Sequence, residues 1–225
     1  MATQLTSDIF TFLNQLKSNN NRDWFNDHKK EFKGIQKEVK NFYEMLFSKL
    51  KMHDEVDNLK IFRIYRDVRF SKNKEPYKIH FGGSFHRKKP ELRGGYYLHL
   101  SPNNESFMAT GFWEPNKDDL NRIRREFEMD ASEMRDLLAD PKFKSVWGDL
   151  QGDELKTAPR DFEKDHPNID LIRKKQYIFI KKYSDKEVLS ENFLDDVDKS
   201  FQLIRPYFDY MSDVLTTNLN GESVI

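Results

Sequence analysis

Between Lys60 and Arg93 the chain sets eleven lysines and arginines against three acidic residues, a local excess of positive charge that the neutral total conceals. Within it, Arg63-Ile-Tyr-Arg66-Asp67-Val-Arg69-Phe70-Ser71-Lys72-Asn-Lys74-Glu-Pro76-Tyr77-Lys78 alternates cations with aromatic and aliphatic residues that can anchor a backbone. Such a segment can gather several donors round a phosphate, sulfate or carboxylate. Arginine supplies a planar fork that grips two oxygens, and lysine a mobile point charge. The candidate ligand contacts are therefore Arg63, Arg66, Arg69, Lys72 and Lys78. The competing reading is structural: charges solvate a sheet edge, and lysines there discourage edge pairing. That reading is preferred for Arg87, Lys88 and Lys89. If the segment starts as a strand, its two-residue period sends Arg63 and Arg66 to opposite faces, so at least one arginine points towards the packed side and needs a carboxylate such as Asp67. Ion pairing and ligand binding both remain open for the three arginines.

A second constellation, Leu155-Lys-Thr-Ala-Pro-Arg160-Asp-Phe162-Glu-Lys-Asp165-His166-Pro167, is a loop shaped by prolines. Brought against the basic segment, Arg160 would close an anion pocket, His166 would add a titratable imidazole, and Asp165 would orient a neighbour. Read structurally, Asp165 makes a turn or helix cap before Leu171 and Arg160 ties the loop to an acidic neighbour. His99 shares a strand face with Tyr97, and His80 opens another predicted strand, so either can enter a concave sheet face. His166, His99 and Asp165 are the candidate catalytic groups, although acid and base work needs distances and burial that a sequence does not supply.

Several chemistries lack their signatures. The chain has no cysteine, which excludes disulfides, thiolate nucleophiles and cysteine metal sites. No His-Glu-x-x-His helix, calcium loop, Gly-x-Ser-x-Gly elbow or phosphate-binding Gly-Lys loop occurs, so no metal and no cofactor is assigned. Thirty-eight basic residues cancel thirty-eight acidic ones, which removes any long-range attraction for polyanions. Nucleic-acid binding would need exposed rings beside the basic segment, where only Phe70 and Tyr77 qualify; Trp24, Phe25, Phe107, Phe112 and Trp113 read as core. Nucleic acid is disfavoured. Met1 to Phe10 lacks the basic start and apolar run of a secretory signal, and no stretch is apolar enough to span a bilayer, so the reading is cytoplasmic without membrane contact.

The elements that must position these residues follow from periodicity. Ile9, Phe12, Leu13 and Leu16 predict a helix over about 6–17. Asp23 can cap a second, long helix reaching Met52, its apolar stripe running from Trp24 through Phe32, Val39, Phe42 and Leu46. Strands are predicted at 59–65, 79–85, 95–100, 106–113 and 177–183. Their short connections favour antiparallel pairing. Helical periodicity returns after Pro115 and again before Pro141, and a closing helix over 193–215 is interrupted near Pro206. The expected fold is α+β: a mainly antiparallel curved sheet of about five strands, covered by the long N-terminal helix and a C-terminal helix. Residues 1–217 form a single domain in this reading, and residues 218–225 a tail.

The runs Asn21-Arg-Asp-Trp-Phe25, Arg63-Ile-Tyr-Arg-Asp-Val-Arg-Phe-Ser-Lys72 with Pro76-Tyr-Lys78, and Pro159-Arg-Asp-Phe162 with Asp165-His-Pro167 resemble the uncharacterised family catalogued as domain of unknown function 2461. Three separated motifs in order make the resemblance specific, and it covers nearly the whole chain. It implies that family's α+β domain and brings no activity, cofactor or catalytic residue. It also marks the matching residues, Arg63, Arg66, Arg69, Lys72, Lys78, Arg160, Asp165 and His166, as first candidates for any shared site. The functional expectation is a small-molecule binding domain with a basic pocket for a phosphorylated or carboxylated ligand. The alternatives are an enzyme that holds an anionic substrate while a histidine moves a proton, and a protein-interaction scaffold.

Overall fold

The computed structural model describes residues 4–225. Three helices precede the sheet. In α1 (Asp8–Ser18) the residues at helical spacing, Ile9, Phe12, Leu13 and Leu16, are all buried. The expected single long helix is instead two, α2 (Arg22–Asp27) and α3 (Lys29–Leu50), and the cap of the first is Asn21 rather than Asp23. The Asn21 side chain accepts from the Trp24 amide at 3.0 Å. His28 leaves helical geometry (φ −98°, ψ 11°), its Nδ1 lies 2.8 Å from the Trp24 carbonyl and its ring stacks on the Trp24 indole.

The sheet follows as β1 (Val56–Ile61), β2 (Phe81–Arg87), β3 (Gly95–Leu100) and β4 (Ser106–Phe112), and is completed by β5 (Tyr177–Tyr183). All pairings are antiparallel and the spatial order is the chain order, β1-β2-β3-β4-β5. Between β4 and β5 come α4 (Lys117–Met129), α5 (Ser132–Ala139), α6 (Pro141–Trp147) and the single turn α7 (Ile169–Ile172). The chain ends through α8 (Asp185–Val188), α9 (Phe193–Leu203) and α10 (Arg205–Thr216). The break before α10 falls where Pro206, without an amide hydrogen, sits in a first helical turn. Residues beyond Thr216 fold back, with Thr217 bridged to Ser223 and Arg122 donating to the carbonyls of Thr217 and Asn218.

Strand alternation divides the sheet into two unlike faces. Phe81, Phe85, Tyr96, Leu98, Met108 and Phe179 point to the helices and are buried. They meet Phe32 and Tyr43 of α3, Phe201 of α9 and Tyr207 of α10. The other face carries Gly82, Ser84 and His86 of β2, Tyr97 and His99 of β3, and Phe107 and Ala109 of β4, all but Gly82 only half-buried.

One reading of the charge pattern is corrected here. Arg87, expected among solvating edge charges, is fully buried, with Nε 2.9 Å from Asp54 and Nη2 2.7 Å from Asp209. Asp54 also accepts from the Tyr96 hydroxyl at 2.5 Å. This network joins the start of β1, β2, β3 and α10, and meets the requirement that a buried charge be paired. Lys88 behaves as expected, exposed and 3.7 Å from Glu55.

Candidate functional site

The half-buried face of the sheet opens onto a cavity of about 820 Å³ that runs along β3 as a trough. Its floor is built from cross-strand rows. Lys60, Ser84, Tyr97, Ala109 and Ile180 form one row; Gly82, His99, Phe107 and Lys182 form the next, with Phe62 beside Gly82 at its amide-to-carbonyl bond, and of these Ser84, Tyr97, Ala109, His99 and Phe107 line the cavity. Gly82 leaves the room this requires: a Cβ there would lie 2.7 Å from the Tyr97 hydroxyl. Tyr97 thus lies over β2 and keeps its oxygen 3.1 Å from His99 Nδ1. His99 stacks on Phe107 with ring centroids 4.5 Å apart, and His80 closes on its other side at 4.2 Å. Ser84 Oγ sits 3.0 Å from His86 Nε2.

Electrostatics set the state of these rings. Burial, reinforced by Lys78 and Arg66, pushes the His80 imidazole down to about 4. Burial and the neighbouring His80 bring His99 to about 4 as well, and His86 is lowered by burial, Lys89 and Lys60. Burial raises the Tyr97 phenol, which keeps its proton. At neutral pH the trough therefore presents uncharged imidazoles, each able to accept at one nitrogen and donate at the other. The Tyr97–His99 contact serves either His99 tautomer: Nδ1 accepts from the phenol, or donates to its oxygen and leaves Nε2 free to accept.

Cations gather at the His80 end. The Lys60 and Lys78 ammonium groups each lie 5.3 Å from the Phe62 ring centre, approaching from different segments. Burial, Arg63 and Arg66 all lower the Lys78 ammonium pKa. Among the described residues Lys60, Arg63 and Lys78 form no ion pair, and Arg66 has Glu75 only at 3.7 Å. With only Glu75 beside Arg66 and Asp67 within reach of the Arg63 charge to offset it, the cluster keeps a local excess of positive charge, which favours an anion. The opposite end of the trough is lined by Lys89, Asn116 and Trp113, the last 56% exposed where core packing was expected.

The basic segment is shaped differently from the expected strand. β1 stops at Ile61, before Arg63. Ile64 is buried, and residues 64–78 form a loop pinned by the Tyr65–Tyr77 bridge and the amides of Lys78 and Arg66 bonded to the carbonyls of Ile64 and Pro76. No arginine of the segment enters the core. The loop brings Arg63, Arg66 and Lys78 together. It places Arg69 elsewhere, its guanidinium held by both oxygens of Asp67 at 3.0 and 2.7 Å, and leaves Lys72 exposed without an ion pair among the described residues. Tyr77 is buried in a stack on Phe25, while Phe70 is 96% exposed, so the two rings form no common platform.

Arg160, Asp165 and His166 do not meet this cluster. Their loop packs at the β5 edge, where Arg125 covers Phe162 and Asn168 donates to the Phe127 carbonyl. The basic segment leaves the β1 edge, and four strand spacings separate the two edges by roughly 19 Å. Arg160 has a side chain 95% exposed, Asp165 is exposed, and His166 Nδ1 accepts from the Asn168 amide at 3.1 Å as part of a turn. Ser84, His86, Lys60 and Phe62 were not singled out in the sequence. The signal available was the period of β2, which aligns Gly82, Ser84 and His86 on the face that also carries Tyr97 and His99.

Fold and site together define an α+β domain whose five-stranded antiparallel meander is packed by helices on one face and forms an aromatic, imidazole-lined trough on the other. The profile of the family described as a conserved hypothetical protein, domain of unknown function 2461, matches residues 8–210, and the chain belongs to that family. No curated protein and no solved structure matches the chain. Among the described residues no helix is long and apolar enough to cross a membrane, and no group of three or more metal-ligating side chains converges.

Proposed function

We propose that this chain is a small-molecule binding domain whose trough takes a ligand with a phosphate or carboxylate at one end and an apolar, planar body. The observation that carries the reading is the grouping of Arg63, Arg66 and Lys78, poorly supplied with carboxylates, beside the neutral His80–His99–Phe107 stack. The anion meets Lys78 and Arg66, and the body lies against His99 and Tyr97. Arg69 and Arg160 take no part, being engaged by Asp67 or remote. The domain spans 1–217 and is cytoplasmic in this reading, which the absence of cysteine supports. A thermal-shift screen against phosphates, nucleotides and aromatic carboxylates tests it. A ligand at 100 times its Kd stabilises the fold by about 2.7 kcal/mol. Arg66→Ala is expected to lose that shift; a variant retaining the whole shift places the anion elsewhere.

A second reading is catalytic, favoured by the Ser84–His86 contact of 3.0 Å and by the uncharged His99. A neutral imidazole is the form that accepts a proton, and in the tautomer that donates from Nδ1 to the Tyr97 oxygen Nε2 is free, so His99 would serve as a base towards a bound anionic substrate. Incubating the protein with each ligand that gives a shift, and following the ligand by NMR, separates the readings. Turnover that His99→Gln abolishes while binding persists establishes catalysis; an unchanged ligand leaves a binding domain.

A further inference from the structure

We propose that a second site, the groove between α3 and the chain leaving β1, docks an extended acidic peptide segment of a partner protein. This cavity, of about 380 Å³, is bounded by Lys33, Lys37 and Lys40 on α3 and by Arg63 opposite them. The lysines are spaced i, i+4, i+7 and share one helix face, an arrangement that like-charge repulsion opposes within the helix itself. Their own chain does not neutralise them. Among the described residues Lys33, Lys37 and Arg63 form no ion pair, and Lys40 has only exposed Glu44 at 3.5 Å. Glu38 of the same helix is turned away, accepting from the Thr6 amide at 2.6 Å and hydroxyl at 3.0 Å.

Three features select an acidic peptide as the occupant. The charge of the walls calls for carboxylates, and the half-buried Ile61 and Phe62, above the buried Val39 and Ile64, call for interspersed apolar side chains. Lys33 and Lys37 are about 6 Å apart along the helix axis, close to the roughly 6.7 Å between alternate residues of an extended chain, so successive acidic side chains reach successive lysines. The third feature is the sheet edge: β5 is bridged by Gln151 at Ile178, whereas among the described residues no strand pairs with the outer side of β1. A nucleic acid would share the charge, but Phe81 in the groove is buried and the half-buried Phe62 ring already carries Lys60 and Lys78 at 5.3 Å from its centre, which disfavours base stacking.

The test uses the full chain and a fluorescein-labelled peptide of about eight residues alternating glutamate with valine, followed by anisotropy. A glutamine-valine peptide and a single-stranded oligothymidylate run in parallel. The glutamate peptide is expected to bind, Lys37→Glu on the exposed helix face to weaken it by about tenfold or more, and Lys199→Glu on exposed α9 surface to leave it unchanged. Absence of binding, equal loss in both variants, equal binding of the glutamine peptide, or tighter binding of the oligothymidylate would each overturn the proposal.

Discussion

His80 and His99 show how a residue's neighbours decide its chemistry. Both would titrate near 6.5 in an unfolded chain, and both are brought to about 4 in the trough. The folded protein therefore binds fewer protons than the unfolded one between those values, and stability must rise with pH across that window. Denaturant midpoints are expected to be level above about pH 6.5 and to fall as pH drops towards 4, with His99→Gln flattening the fall. A wild-type midpoint that does not change over this range would show that the two imidazoles are freely protonated. Arg87 makes the opposite case of a charge kept inside. Arg87→Ala leaves buried Asp54 with Arg205 and Tyr96 as partners, so chemical denaturation is expected to show a loss of about 3–5 kcal/mol. A loss below about 1 kcal/mol would mean that the network is wet or relaxes. Nothing in the run Arg87-Lys-Lys distinguished the first residue from the others. Only the strand period, with Phe85 inward, places Arg87 inward as well.

At the scale of elements, β2 is the strand on which both faces depend. Gly83 points to the core, where a Cβ would lie 2.6 Å from the Tyr43 ring, and that ring is held by its hydroxyl donating to the Leu98 carbonyl at 2.9 Å. Gly83→Ala is therefore expected to cost about 1–3 kcal/mol in denaturation, because the ring cannot move aside without breaking its hydrogen bond. A neutral substitution would mean that α3 is loosely seated. Gly82→Ala acts on the other face, displacing Tyr97 from over the strand, and should alter ligand binding more than stability. The sequence places both glycines in the strand predicted at 79–85 without showing what they are for, because the large partners that need their space lie on other elements. Where an element carried its own pattern it was legible: β3 and β5 fall on their expected residues, and Pro206 marks the break before α10. The break at His28 was hidden because the apolar stripe continues across it. The early end of β1 was hidden because Arg63 to Arg66 alternates like a strand although its hydrogen bonds form a loop.

Across the whole molecule the charges cancel, so anion affinity can arise only where the fold concentrates one sign. The basic segment that stood out in the sequence does this in part. The loop directs Arg63, Arg66 and Lys78 together and spends Arg69 on Asp67. The sheet width separates Arg160 and His166 from them, a distance that motif order along the chain cannot reveal. Residues 8–210 belong to a family whose description names no activity, so the proposed ligand class rests on the trough alone. The most direct measurement is calorimetric titration of the best anionic ligand into wild type, Lys78→Gln and Lys72→Gln. Lys78 lies near enough to His80 of the trough wall, and to Arg63 and Arg66, for their charges to interact, whereas Lys72 is exposed on the loop. The site described here predicts at least about a tenfold loss of affinity for Lys78→Gln and little change for Lys72→Gln. Equal effects of the two substitutions, or none from Lys78→Gln, would contradict it.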